Sequence, residues 1–266
     1  MDIQPTKFTY HQTPVDETQF RVLNPKVSVV IPAYNRARTL SQTLDSVLSQ
    51  TEQSFEVILV DDGSTDDTRD VVSSWMAHKQ FPLKYVLCSS NRGPGYARNA
   101  GMEYAVGEWI AFLDSDDQWD KGFLSAMLDV GEASGENFVY CFSQMYDTYR
   151  EPRHVFDFNP YDFPTLLRSD GMIPTGSYIF RRNCWKFVGP FRTDFKRGED
   201  LEWMLRFGEL HRFAVVPQVL HHYFRSEGGI MVSYKDQANI EYGFEQINNT
   251  KRAINERMRQ SQPTAE

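Results

Sequence analysis

Apolar positions along the chain follow two patterns: short unbroken runs, and longer stretches in which they recur every three or four residues. Val27-Ser28-Val29-Val30-Ile31, Glu56-Val57-Ile58-Leu59-Val60, residues 83–88 and Trp109-Ile110-Ala111-Phe112-Leu113 are runs of the first kind. Their length and apolarity predict strands buried on both faces, as in a parallel sheet. Helical stripes lie between them: Leu40, Leu44, Val47 and Leu48; Val71, Val72, Trp75 and Met76; Ala97, Ala100, Tyr104 and Ala105. Ser64 with Asp67 resembles a capping box ahead of the second stripe. The order β-α-β-α-β-α-β predicts a parallel sheet with right-handed crossovers.

Beyond it, Phe123, Leu124, Met127 and Leu128 predict a helix, and residues 138–142 a strand. Residues 145–170 hold Pro152, Pro160 and Pro164 and many aromatics with no clean period, so an irregular stretch is expected there. A strand over 175–180 follows, then a helix over 199–210 with Leu201, Met204 and Leu205 facing in. Two short strands, 214–216 and 219–223, flank Pro217. A terminal helix over 235–258 carries Ile240, Phe244, Ile247 and Ile254 and is expected to pack on the domain or on a partner. Residues 1–25, with Pro5, Pro14 and Pro25, read as an extended or partly disordered arm.

Chemistry concentrates where apolar runs end in carboxylates. The run at Trp109 passes directly into Asp114-Ser115-Asp116-Asp117, three carboxylates in four positions. Open α/β sheets place ligands just past the carboxyl ends of their strands. Packed carboxylates repel one another, which suits a hard divalent ion such as Mg²⁺ or Mn²⁺; a solvated acidic turn is the bland alternative. The second run ends in Asp61-Asp62, whose loop would lie along the same sheet edge and could accept a hydrogen bond from a sugar hydroxyl or a base N–H. Asp61, Asp66, Asp67 and Asp117 read as turn or helix-start residues, where negative charge is favourable. Tyr34 is either packing or a ligand contact. Trp119, Trp185, Arg181, Arg182 and Arg197 could touch a sugar or phosphate, against ordinary core and surface roles.

Composition narrows the classes. A net charge of −8 argues against nucleic acid as the main partner, but not against a nucleotide held through a metal. Cys88, Cys141 and Cys184 fit neither a disulfide framework nor a C-x-x-C site, which points to a reducing, cytoplasmic compartment. No apolar run approaches 18 residues and Met1 opens no leader, so a soluble protein is expected, with peripheral membrane contact left open. Neither a phosphate-cradling G-x-x-x-x-G-K-[ST] nor G-x-G-x-x-G is present. Calcium loops starting at Asp114 or Asp62 fail, since the sixth and twelfth positions are Trp119 and Ser125, or Asp67 and Ser73.

Five segments together resemble the family 2 glycosyltransferases: residues 27–36, residues 60–68, Ala97-Arg98-Asn99-Ala100-Gly101, residues 112–117, and Arg197-Gly198-Glu199-Asp200 ahead of a helix. The match runs from about Val27 to Arg225. The resemblance implies a GT-A fold: a mostly parallel, Rossmann-like sheet flanked by helices, with a smaller mixed acceptor-side portion. It implies one domain over 26–230, with a nucleotide-binding half at about 26–120 and an acceptor half at about 121–230, followed by a helix and polar tail at 231–266. It also implies a nucleoside-diphosphate sugar donor, most often UDP-linked, a Mn²⁺ or Mg²⁺ cofactor, inversion at the anomeric carbon, and a glycan, lipid-linked or protein acceptor. By position, Pro32, Ala33, Tyr34 and Arg36 would line the nucleotide, and Asp62 would bond the base. Arg98 would help hold the nucleotide, Asp114 and Ser115 would approach the ribose or donor sugar, and Asp116 would bind the metal. Asp200 would be the general base, with Glu199 beside it.

Many members carry a metal-reaching histidine shortly after a Tyr-x-Arg. Here Tyr223-Phe224-Arg225 is followed by Ser226-Glu227-Gly228, which puts Glu227 at that position. Glu227, His221 or His222 could serve, or the ligand is missing; a structural role is the default for all three. Two rival functions stand beside transfer: a sugar-1-phosphate nucleotidyltransferase, and a non-catalytic nucleotide or glycan binder. A homo-oligomer through the terminal helix is a further expectation.

Overall fold

The computed structural model describes residues 24–79, 83–158, 163–168, 173–194, 198–225 and 237–260. The expected arm up to Leu23, Arg197, Glu227 and the tail from Ser261 lie outside the described residues. In chain order the elements are β1 (Val27–Ala33), α1 (Leu40–Leu48), β2 (Phe55–Asp61), α2 (Thr68–Lys79), β3 (Leu83–Leu87), α3 (Pro94–Met102), β4 (Trp109–Phe112), β5 (Gln118–Trp119) and α4 (Phe123–Ser134). There follow β6 (Phe138–Tyr146), β7 (Pro152–Phe156), α5 (Phe163–Arg168), a 3₁₀ turn (Thr175–Ser177), β8 (Tyr178–Arg181), α6 (Trp185–Val188), α7 (Glu199–Leu210), β9 (Ala214–Phe224) and α8 (Gln237–Gln260).

One sheet runs in the order β3-β2-β1-β4-β8-β6-β9-β5, with β7 paired to β6. The first four are parallel, as the β-α-β repeat predicts. β8 then enters antiparallel beside β4, so the sheet continues through both portions of the chain. Every residue of β1 and β4 is buried, because helices cover both faces. Alternate residues feed two cores: Val30, Val60, Ile110 and Phe112 join α3 and α7, while Val29, Ile31, Leu59 and Ala111 join α1 and α4. Gly101 shows how closely α3 sits on the sheet, since a Cβ there would lie 2.3 Å from Val30 Cγ1.

Several expectations are corrected. Residues 145–170 hold more order than their prolines suggested: β6 runs on to Tyr146, β7 forms a hairpin with it, and α5 follows. The stretch 175–180 opens as a 3₁₀ turn and only then becomes strand β8. The strands around Pro217 are one strand, β9, whose pairing with β6 shifts register near Cys141 and Phe142. That irregularity accommodates a residue without an N–H. On α8 the buried face is Gly243, Ile247 and Ile254, while Phe244 is 54% exposed; Ile240's side chain lies outside the described residues. Phe244 sits one residue, about 100° of helical turn, away from Gly243.

Candidate active site

The parallel strands deliver three loops to one edge. Ala33 pairs with Asp61 in register, Asp62 N–H donates to Ala33 O at 2.8 Å, and Leu113 N–H donates to Val30 O at 3.1 Å. Hence the loops after β1, β2 and β4 emerge together beside the point where chain order reverses around β1.

The loop after β1 is stitched to the loop after β2. Asn35, at φ +53°, donates its N–H to Ser64 Oγ, and its Oδ1 accepts from Thr65 N–H at 2.8 Å. Ser64 therefore braces Asn35 instead of opening a capping box. Asp66 starts α2, accepting from Thr68 N–H at 3.0 Å. Pro32 and Ala33 are buried, whereas Tyr34 is 37% exposed and so is not core packing. Arg36 Nη2 lies 3.4 Å from Asp116 Oδ2, which joins the first loop to the acidic one. Ser115 is buried and its carbonyl accepts from Thr39 Oγ1 at 2.9 Å.

Asp61 and Asp62 differ in their surroundings. Asp61 accepts from Ser64 N–H at 2.8 Å and from the Tyr85 hydroxyl at 2.6 Å, a bracing role. Asp62 Oδ2 accepts from Arg92 and Gly93 N–H at 2.9 and 2.7 Å. Its Oδ1 is buried with no hydrogen-bond partner among the described residues. A buried acceptor without a donor is costly, so this oxygen suits a ligand N–H. Burial pushes the Asp62 carboxyl up to about 6 from 3.8, against the pull of its two backbone N–H groups. The sign follows: the folded chain holds this proton longer than the unfolded one, so the contribution is favourable below about pH 4 and is lost as pH rises through about 6. Asp62→Asn, which keeps an acceptor for both N–H groups, should flatten that part of the melting temperature–pH curve of the ligand-free protein.

Arg98, expected near the nucleotide, lies between two carboxylates. It is 3% exposed and ion-paired on both sides, Nη2 to Asp114 Oδ1 at 2.7 Å and Nη1 to Glu199 Oε1 at 3.0 Å. Its neighbour Asn99 makes reciprocal bonds with the Phe191 backbone, at 2.8 and 2.9 Å. A Cβ on Gly95 would lie 3.1 Å from Glu199 Cγ and from Arg192 O. So this face of α3 docks the segment that carries Glu199 and Asp200, and Arg98 links it to the acidic loop.

Asp200 is half-buried in the first turn of α7. Its Oδ1 accepts from Leu201 N–H at 2.8 Å, and its Oδ2 accepts from Thr175 Oγ1 at 3.3 Å. Burial raises its carboxyl above the ordinary range, and Arg98 partly offsets this. Burial, with Asp200 adding to it, also raises Glu199. Thr175 is a site neighbour that sequence reasoning missed; 25 residues separate the two partners and no local signal joins them.

Asp117 is not a helix-starting cap. It is buried, accepts from Phe224 N–H at 2.9 Å, and faces His221 Nε2 at 3.1 Å. His221 Nδ1 contacts Ser143 Oγ at 2.7 Å, and burial lowers the imidazole to about 3. His222 contacts Asp120 at 3.2 Å and the Tyr146 hydroxyl. Both ring nitrogens of each histidine thus have a partner within the protein. Trp119 stacks on Phe123 and donates to Gly176 O at 2.6 Å, and Trp185 packs in the aromatic cluster of Phe180, Phe191 and Trp203. Arg181 pairs with Glu108 and Glu132, and Arg182 binds Gly107 O.

No group of three or more His, Cys, Asp or Glu among the described residues gathers closely enough to hold a metal ion alone. Magnesium-like ions commonly take only one or two carboxylates, with phosphate and water completing the shell. Asp116 with its neighbour Asp114 fits that donor set. Among the described residues, no helix is long and apolar enough to cross a membrane.

The chain is 41% identical over 105 residues to the putative teichuronic acid biosynthesis glycosyltransferase TuaG of Bacillus subtilis, covering 40% of this chain and 41% of TuaG. It is 39% identical over 114 residues to the Escherichia coli UDP-Glc:alpha-D-GlcNAc-diphosphoundecaprenol beta-1,3-glucosyltransferase WfaP, covering 43% of this chain and 44% of WfaP. The matched part thus spans under half the length of either relative. Among solved structures, S. aureus TarS 1-349 in complex with UDP-GlcNAc superposes with a TM-score of 0.67 at 24% identity, over 78% of this chain and 61% of that one. A Pyrobaculum calidifontis mannosyltransferase in complex with GDP-Man and Mn²⁺ superposes at 0.59 and 23% identity, over 81% of this chain and 61% of that one. These likenesses establish the GT-A fold. The family model for glycosyl transferase family 2 matches residues 28–198, nearly two thirds of the sequence, and the chain therefore belongs to that family.

Proposed function

We propose that this protein is a metal-dependent, inverting glycosyltransferase that moves a sugar from a uridine-diphosphate sugar to a hydroxyl of a glycan or lipid-linked acceptor. The observation that supports this reading is the Asp114–Arg98–Glu199 bridge, which ties the acidic sheet edge to the turn bearing Asp200. The names of TarS and WfaP, with UDP-GlcNAc and UDP-Glc, support the donor class.

Asp62 Oδ1 would accept from the base N–H, with Tyr34 against the ring. Asp116, with Asp114 nearby, would hold the cation. When bound, that Mn²⁺ or Mg²⁺ supplies Lewis acidity at the diphosphate and stabilises its leaving charge. Asp200 Oδ2, oriented by Thr175, would take the proton from the acceptor hydroxyl. The acceptor oxygen then bonds to the anomeric carbon as the bond to the β-phosphate oxygen breaks, the electron pair leaving on the nucleoside diphosphate. The raised carboxyl of Asp200 suits a base working near neutral pH. Glu227, outside the described residues, is the candidate for a further metal ligand.

The test is a panel of nucleotide sugars read by melting temperature, with and without MnCl₂, followed by product analysis. A UDP-sugar should raise the midpoint only with metal, by mass action, and turnover should release nucleoside diphosphate. Release of pyrophosphate would support the nucleotidyltransferase instead, and binding without any donor hydrolysis the non-catalytic alternative.

A further inference from the structure

Gly198 lies immediately before α7 at φ +79°, a left-handed bend that sets the direction in which Glu199 and Asp200 leave the chain. The space beside that bend is filled. A Cβ on Gly198 would lie 2.6 Å from Cδ1 of Ile247, a 4% exposed residue of α8. The helix is fastened to the same region at other points. Tyr242 Oη donates to Asp194 Oδ2 at 3.2 Å, and Thr250 Oγ1 donates to Glu202 Oε1 at 3.4 Å. Arg257 makes paired bonds of 2.7 Å to Glu209. Glu202 in turn receives Arg206, whose Nη2 also donates to Pro190 O at 2.8 Å. Asn99 and Arg98 of α3 hold Phe191 and Glu199.

We infer that α8 is a positioning element for the base, with Ile247 as the positioning residue that presses the Gly198 bend against α3. The inference rests on the reading of Asp200 as the base. Its physical basis is the steep dependence of proton transfer and in-line attack on geometry, where a shift of about 1 Å can cost about 100-fold. Ile247 touches no reacting atom and acts through the bend alone. Ile254, the other isoleucine of α8 buried among the described side chains, lies two turns further along and is the natural control.

The experiment uses the full chain, with Ile247→Ala, Ile247→Val and Ile254→Ala. Amide exchange over residues 198–205 and UDP release from the UDP-sugar that shifts the melting temperature are both measured with MnCl₂. Both alanine variants should lower the melting temperature comparably. Only Ile247→Ala should speed exchange at 198–205 and lower kcat by about tenfold, with the donor KM within about twofold. Ile247→Val should restore most of both. Should Ile247→Ala fail to fold, Tyr242→Phe should give the same changes in smaller degree. Unchanged exchange and kcat in Ile247→Ala, or equal losses in Ile254→Ala, overturn the inference. Full turnover in a parallel Asp200→Asn sample would instead overturn the assignment of the base, leaving the exchange data to judge the clamp.

Discussion

Asp200→Asn should lower transfer turnover by about 100-fold or more, the scale of a lost general base, and leave donor affinity nearly intact. The substitution is close to isosteric. The amide oxygen can still accept from Leu201 N–H, and the Thr175 hydroxyl can turn to accept from the new amide. What is lost is basicity. The wild-type carboxyl is held up by burial, so ionising it near neutral pH works against folding. The variant should therefore melt at the same temperature as wild type or slightly above it. Wild-type kcat should rise with pH as this carboxyl ionises, and that acid limb should vanish from the residual rate of the variant. Isothermal titration with the donor and Mn²⁺, alongside a pH–rate profile, checks each part. Collapse of donor binding with turnover retained would assign Asp200 to the donor pocket.

Arg98→Met should destabilise the fold by about 3–5 kcal/mol in urea unfolding near neutral pH, the usual cost of stranding a buried charge. The change removes the cation between Asp114 and Glu199, two carboxylates with unequal access to water. Asp114's side chain is 34% exposed and can rehydrate, while Glu199's is only 7% exposed. Most of the penalty therefore falls on Glu199. Burial already raises Glu199, and Arg98 pulls it down; without Arg98 it should rise further. A carboxyl raised in the folded state loses its contribution as pH climbs to its folded value; in wild type that loss ends at about 7, whereas in the variant it continues, so the variant's deficit should grow as pH rises above about 7. Adding Glu199→Gln should recover part of the loss, because the stranded charge is gone. A deficit independent of pH, with no recovery in the double variant, would place the cost in packing around α3.

Arg98 and Asp117 show where a single sequence stops being informative. Arg98 sits in a segment whose family resemblance points to the nucleotide, yet its partner Glu199 is 101 residues away. Asp117 stands where a helix could begin, yet it binds His221, 104 residues on. Neither partner is visible from the neighbouring residues. The hairpin of β6 and β7 was hidden for a different reason: β7 is half-buried at best, so it carries no apolar run. The α8 stripe was misplaced because Phe244 is apolar but faces solvent, while the buried position beside it is Gly243.

By itself the sequence determined the four parallel strands, their covering helices, the acidic loops at the strand ends and the family. Each of these rests on neighbouring residues: an unbroken apolar run must be covered on both faces, and a carboxylate just past a strand must sit at its carboxyl end. Tertiary structure alone decided which oxygen of Asp62 has no hydrogen-bond partner among the described residues, what Arg98 holds, and which helix packs beside the bend before Asp200. Those outcomes depend on ion pairs and contacts closed across tens of residues, where the competing partners are fixed only once the whole chain has packed.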